Sequence, residues 1–363
     1  MGAKVVEGNF AGSAHMLEAL QFISQTAGDS PCVMNVSLGT NGGAHDGKSL
    51  VETGIDTIVH AKSNRAIVLA ASNSYADGIH ASGTVKQGET FDLNWIVESH
   101  DFTFNELELW YDKKDEFSCE IITPQGKSLG ELKLGTNHQI LGPHNEILAF
   151  MAHRKNDPNN GDHVINIFME RSQMNSLDPE HNWVTVGKWM IRLKGLRIES
   201  GKFHAWIERD DAAQSHFDAP LDNSHTIGSI SCGMKSVVVG SYDAKAPDTP
   251  LSFFSSSGPT RDGRQKPEIS APGHRVSAAA SGTETGHIQM SGTSMAAPAV
   301  TGVIALMLAE AHAHGLKLSS DEIHEILRAS ARPMANGWHD RYGYGRIDAS
   351  EAIKKVEALL PVR

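Results

Sequence analysis

Cysteine is scarce in this chain: Cys32, Cys119 and Cys232 are the only three in 363 residues. They are odd in number, far apart and outside any C-x-x-C spacing. This excludes a disulfide framework and a thiolate metal site, and leaves three small buried hydrophobes. Long apolar runs are also missing, since no stretch of about 18 residues is continuously apolar, and membrane insertion is not expected. Blocks of Lys and Arg are absent too. The formal charge is −11, with both signs interspersed, so nucleic acid is excluded as a partner. The opening "MGAKVVEGNFAG" lacks the apolar core of a signal peptide, and the compartment stays open. What remains, 40% apolar and 21% charged, is the composition of a globular protein. At this length it forms two domains, or one large domain with an insertion.

Three textures follow one another. Residues 1–83 alternate short apolar runs with helical patterns: "AKVV" as a strand, "SAHMLEALQFISQTA" as an amphipathic helix and "CVMNVSL" as a buried strand. A helix around "SLVETGIDTIVHAKS" and a second buried strand, "AIVLAAS", complete this part. That rhythm predicts a mostly parallel sheet with helices on both faces. Residues 84–222 change to strands separated by turn residues: "ETFDLNWIV", "ELELWYD", "FSCEIITPQG", "HVINIFME", "KWMIRLKG" and "GKFHAWIE". Five of the six tryptophans (Trp95, Trp110, Trp183, Trp189, Trp206) fall here, as an antiparallel sandwich with large side chains between its sheets requires. Residues 223–363 return to the α/β texture, so the β segment reads as an insertion within one α/β domain.

"SGTSMAAPAVTG", residues 291–302, opens a stretch that is apolar on every face from Met295 to Ala309, which predicts a buried helix. Ser294 at its start would sit beside unpaired N–H groups and the positive end of the helix dipole, a setting that favours an oxyanion. An N-cap serine fits the same place, because Ser caps helices routinely. The small residues Ala296, Ala297, Ala299 and Gly302 predict close approach of the sheet.

Resemblance separates the two readings. "SGTSMAAPAVTG" resembles the serine motif G-T-S-M-A-x-P-x-V-x-G of the subtilisin-like serine proteases. "VMNVSLGT" (33–40), "IVLAASNS" (67–74), "FFSSSGPT" (253–260), "KPEISAPG" (266–273) and "YGYGRIDASEA" (342–352) resemble that family in the same order. The resemblance implies that Ser294 is the nucleophile and that the Asn73 side chain helps form the oxyanion hole. It also implies that Ser37, Leu38 and Gly39 form one wall of the substrate pocket, and Ala70, Ala71 and Ser72 the other. Ser72 departs from the pattern, because the family usually has glycine there, and its side chain is expected to intrude on the pocket.

The family's aspartate stands in D-[ST]-G and its histidine in H-G-T-x-x-A, and neither pattern occurs in this sequence. "GAKVV" resembles the strand that follows the histidine helix in the family. The expectation is therefore a C-terminal part of a catalytic domain, with Asp and His supplied by a complementing N-terminal segment or chain. His45, beside Asp46, and His287 are second-choice bases. The insertion's position suits an accessory β domain, and "GKWMIRLKG" followed by "GKFHAWIERD" resembles paired jelly-roll strands. Calcium often stabilises the family. The loop "NDPNNGD" (156–162) offers oxygens, but Asn, Asp and Gly also build hairpin loops, and no cofactor or metal is assigned. Two functions stand: an endopeptidase acting on polypeptides through an acyl-enzyme on Ser294, and a pseudoprotease that keeps a peptide-binding cleft as a scaffold.

Overall fold

The structure, a computed structural model, describes residues 13–98, 101, 103–141, 145, 147–170, 186–219 and 221–360. The expected strand "AKVV" and Trp183 lie outside them. Two compact units emerge. One comprises residues up to Gly39, His45–Tyr75 and the chain from Ile227; the other comprises Thr40–Ala44 and Ala76–Thr226.

The α/β unit begins with α1 (Ser13–Ala27), β1 (Cys32–Val36), α2 (Leu50–His60) and β2 (Arg65–Ala70). The β unit follows with β3 (His80–Thr84), β4 (Thr90–Val97), β5 (Asn105–Tyr111), β6 (Glu116–Ile122), β7 (Ser128–Leu132) and β8 (Asn137–Leu141). It continues with β9 (Ile147–Arg154), β10 (His163–Met169), β11 (Gly187–Arg197), β12 (Lys202–Ile207) and β13 (His216–Phe217). The chain then returns to the first unit with β14 (Val237–Tyr242), β15 (Ile269–Pro272), β16 (Val276–Ala279), β17 (His287–Met290), α3 (Thr293–Ala313), α4 (Ser320–Ser330) and α5 (Ala349–Glu357).

In the α/β unit the sheet runs β1-β2-β14-β15, with every pairing parallel. All six residues of β2 are buried, as a strand covered on both faces must be. Its side chains alternate between two cores. Ala66, Val68 and Ala70 join the core beneath α3, whereas Ile67, Leu69 and Ala71 join the core with residues of α1 and α2. Helices therefore cover both faces, as the sequence rhythm implies. α2 starts at a capping box in which Ser49 and Glu52 each bond the other's backbone N–H.

α3 corrects one expectation. By length and composition it could cross a bilayer, and it is the only such helix among the described residues. It packs on the sheet, but only one side is buried. Pro298, Ala299, Gly302, Ala305, Leu306 and Ala309 are exposed, and their spacing draws a single stripe along the helix. Ala296 and Ala297 do lie fully buried against the core, whereas Ala299 and Gly302 face away from it.

The β unit contains two antiparallel sheets, ordered β3-β12-β5-β10-β9-β8 and β13-β4-β11-β6-β7. Leu93, Trp95, Trp189 and Ile191 of the second meet Leu107, Leu109, Ile165 and Ala205 of the first in one core. Trp206 is also buried in that core, and Trp110 nearly so. β11 and β12 are consecutive but belong to different sheets, so they are not a pair: β11 pairs with β4 and β6, and β12 with β3 and β5. β9 escaped the sequence reading because "ILAFMAHR" is apolar on both faces and shows no alternation.

The unit is also wider than residues 84–222. β3 starts at His80 because it pairs residue for residue with β12. Trp206 Nε1 donates to the His225 carbonyl at 2.8 Å, which ties in the exit segment. The Asn41 and Gly42 N–H groups donate to the Glu208 carboxylate, adding residues 40–44. The loop Asn156–Asp162 joins β9 to β10. There the Asn159 and Asp162 N–H groups donate to side-chain oxygens of Asp157 and Asn160, as in an ordinary hairpin loop.

Candidate active site

The C-terminal ends of parallel strands are where an open α/β sheet places its ligands. β1 and β2 are neighbours, with Val36 beside Leu69, so Ser37 leaves β1 next to Ala70, the last residue of β2. The two segments expected to wall a pocket, Ser37–Gly39 and Ala70–Ser72, therefore start from adjacent strand ends. α3 brings its N-terminus to the same edge, where Ser37 Oγ donates to the Ser294 carbonyl at 3.2 Å. Ser294 is itself partly exposed.

Ser294 is not the N-cap. The helix begins at Thr293, its N-cap is Gly292, and no side chain caps it in the usual way. Asn73 takes over part of that task from a distance of 220 residues. Its Oδ1 accepts the Thr293 N–H at 2.9 Å and the Thr293 hydroxyl at 3.0 Å. With its oxygen so engaged, the carboxamide must turn its Nδ2 donor the other way. A Cβ placed on Gly292 would stand 3.4 Å from Asn73 Nδ2 and 3.6 Å from the Ser294 nitrogen. Asn73 Nδ2 and the Ser294 nitrogen thus lie close to the same point at the positive end of a 21-residue helix, with Met295 Sδ 3.7 Å from it. Preorganised donors of this kind stabilise a negatively charged oxygen.

Both of these segments are braced by residues that the sequence reading passed over. Asn35 Nδ2 donates to Ser37 Oγ at 3.0 Å, and Thr301 Oγ1 lies 3.2 Å from Asn35 Oδ1. Asn35 is the one exposed position of β1, a polar break in "CVMNV" that was the available signal. On the other wall, Ser231 Oγ donates to the Ala70 carbonyl at 2.9 Å. Ser256 Oγ accepts the Ser74 N–H at 3.0 Å. Leu38 is half exposed and offers an apolar contact surface.

Ser72 has φ +85°, in the region that glycine adopts without cost. Its hydroxyl lies 3.5 Å from that of Ser74 and is buried, so the side chain is turned into the wall. The expected intrusion into the pocket is not what this rotamer does.

Neither second-choice histidine is brought to Ser294. His45 is buried with Nδ1 3.9 Å from Cys232 Sγ, and Cys232 belongs to the core on the sheet face opposite α3. Asp46 pairs with Arg261 at 3.1 Å. His287 is exposed on β17. Among the described residues no imidazole hydrogen bonds to Ser294.

Comparison with known proteins agrees with the motif reading. Residues 197–345 match the model of the subtilase family. AprX, a serine protease of Bacillus subtilis, is 31% identical over 147 residues, which cover 36% of this chain and 32% of AprX. Pyrolysin of Pyrococcus furiosus is 35% identical over 106 residues, covering 29% of this chain and 8% of pyrolysin. The chain thus spans less than a third of the length of these curated relatives. Among solved structures, the CspB protease of Clostridium perfringens superposes with a TM-score of 0.80 at 24% identity, covering 95% of this chain and 72% of that one. The fold is shared with that protease.

Proposed function

We propose that this chain, a subtilase by the family match over residues 197–345, carries the nucleophile and oxyanion hole of a serine endopeptidase. The placement of Asn73 Nδ2 and the Ser294 nitrogen beside Gly292, with Asn73 Oδ1 held by Thr293, is the observation that supports the reading. Ser294 attacks the carbonyl carbon of a polypeptide bond, and its proton goes to a base. The tetrahedral oxygen then takes hydrogen bonds from the two donors, the base returns its proton to the nitrogen, and the amine leaves to give an acyl-enzyme that water resolves. Substrate backbone lies between Ser37–Gly39 and Ala70–Ser72.

A serine hydroxyl is a weak nucleophile near neutral pH without a base held by an acid. On this reading His and Asp come from a segment or chain beyond these 363 residues. What supports it is the absence of both boxes from the sequence and of any imidazole bonded to Ser294 among the described residues. The β unit is then an accessory domain of jelly-roll type, supported by two antiparallel sheets around one core. The same absence favours the second reading, a non-catalytic scaffold that binds peptides in this cleft.

A fluorophosphonate probe separates the possibilities, with Ser294→Ala as control and labelling read by intact mass. The chain alone is expected to remain unlabelled, and the chain produced with its preceding coding sequence to be labelled at Ser294. Labelling of the chain alone would place the base within it. No labelling of either form, or a gene without the two boxes, would leave the scaffold.

A further inference from the structure

The β unit holds a second concentration of chemistry that the peptidase reading does not use. His80 on β3 and His204 on β12 lie on neighbouring antiparallel strands. In the register, Trp206 stands opposite His80 and His204 opposite Ser82, so all four side chains share one face of the sheet. His225, in the segment that leaves the unit, closes over them with ring centroids 5.3 Å from His80 and 4.8 Å from His204. One nitrogen from each ring lies within 4.8 Å of the others. We propose that His80, His204 and His225 form a binding site for a divalent transition metal of the zinc class.

Ligand spacing is the first argument. Zinc–imidazole bonds of about 2.0–2.1 Å in a tetrahedral site hold their nitrogens about 3.3 Å apart. His80 Nε2 and His204 Nδ1 are already 3.0 Å apart. The third nitrogen, at no more than 4.8 Å, needs a shift of about 1.5 Å, within reach of a side-chain rotation.

The surroundings of the rings supply the second argument, because they fix which nitrogens carry lone pairs. His80 Nδ1 faces the Asp222 carbonyl at 2.9 Å, and a carbonyl only accepts, so Nδ1 holds the proton and Nε2 is the ligand atom. Ser224 donates its hydroxyl proton to Asp222 Oδ1 at 2.6 Å. Its oxygen therefore accepts from His225 Nδ1 at 2.5 Å, which leaves the lone pair on Nε2 of that ring. Asp222 Oδ2 accepts from Ser82 at 2.8 Å, and Trp206 holds the His225 carbonyl. Carbonyl and carboxylate partners of this kind orient metal-bound histidines in general. The proton that His204 Nδ1 shares with His80 Nε2 would move through solvent to Nε2 of the His204 ring, so that the imidazole stays neutral and its Nδ1 becomes a ligand.

The local backbone agrees. His225 has φ +56°, a left-handed conformation that a non-glycine residue keeps only where its surroundings hold it. Three imidazoles and no thiolate suit zinc, with copper and nickel as competitors. His204 and His225 are half exposed, which gives the ion a path and leaves a fourth position for water. Since β3 opens the β unit and His225 stands one residue before its end at Thr226, a bound ion would fasten the unit's first strand to its last segment.

The test uses the untagged 363-residue chain, stripped with EDTA and titrated with Zn²⁺ alone by calorimetry, with the melting temperature followed in parallel. One ion per chain is expected, with a rise in melting temperature. His204→Gln and His225→Gln, both at half-exposed positions, are expected to weaken binding at least tenfold while circular dichroism stays unchanged. Co²⁺ on the unaltered chain should give the visible bands of a tetrahedral nitrogen-bound ion, a readout that needs no variant to fold. No stoichiometric binding, or binding that both variants leave intact, would overturn the site. Ser294→Ala should bind zinc like the parent chain, which keeps this test separate from the peptidase reading.

Discussion

At the scale of single residues, Asn73 has one established task and one proposed task, carried by two different atoms. Its oxygen completes the α3 N-terminus through Thr293, and its nitrogen faces the space beside Gly292. Asn73→Asp keeps the acceptor and removes the donor. If the proposed peptidase is supplied with its base, turnover should fall by about 100- to 1000-fold, the usual worth of an oxyanion donor, with little change in melting temperature. Asn73→Ala loses both and should also destabilise the fold by about 1 kcal/mol. A circular-dichroism melt alongside peptide kinetics reads both effects. Ser72 poses the opposite case, a side chain held at φ +85° with only a 3.5 Å approach to Ser74 in return. Ser72→Gly should therefore raise stability by about 0.5–1 kcal/mol; a lower urea midpoint would mean that the hydroxyl matters more than the backbone.

At the scale of elements, α3 shows how a helix can be apolar all round yet only half covered. Gly302 lies on the exposed stripe, and a Cβ there would touch nothing within 4 Å. Gly302→Ala should stabilise the chain by about 1 kcal/mol, read by urea denaturation. In α2 the capping-box Glu52 is buried, and desolvation, aided by Asp46, raises its pKa to about 7 against the lowering bonds from Ser49 and Cys232. The folded state thus holds a proton that the unfolded state releases near 4.5. This contribution is fully present below pH 4.5 and is lost as pH rises through 7. The parent chain's melting temperature should carry this downward trend, and Glu52→Gln, which cannot titrate, should flatten it.

At the scale of the whole molecule, the described residues leave apolar and hydrogen-bonding surface open in the α/β unit. β1 is an edge strand that pairs only with β2 among them, and α3 exposes a stripe that includes Leu306 at 57%. Unpaired edges and apolar patches promote association. Light scattering should show self-association that grows with concentration and weakens in Leu306→Glu. A monodisperse monomer across the range would count against this.

Much of this molecule was legible in the sequence because its signals are local. The apolar rhythm located α1, α2, β1 and β2, since burial on both faces demands continuous apolar runs. The motif around Ser294 resembles that of the subtilases because it is long and local, and the family match over residues 197–345 agrees with it. What the sequence could not show depends on partners brought from afar. Gly292, not Ser294, caps α3, because Asn73 reaches across 220 residues to take the Thr293 N–H. The exposed stripe of α3 reflects what lies beside the helix, which its own composition does not encode. β11 and β12 fall in different sheets because strand pairing is decided across the core and not along the chain. The histidine cluster is the clearest case: residues 80, 204 and 225 have no common motif, and only the pairing of β3 with β12 and the return of the exit segment set them together.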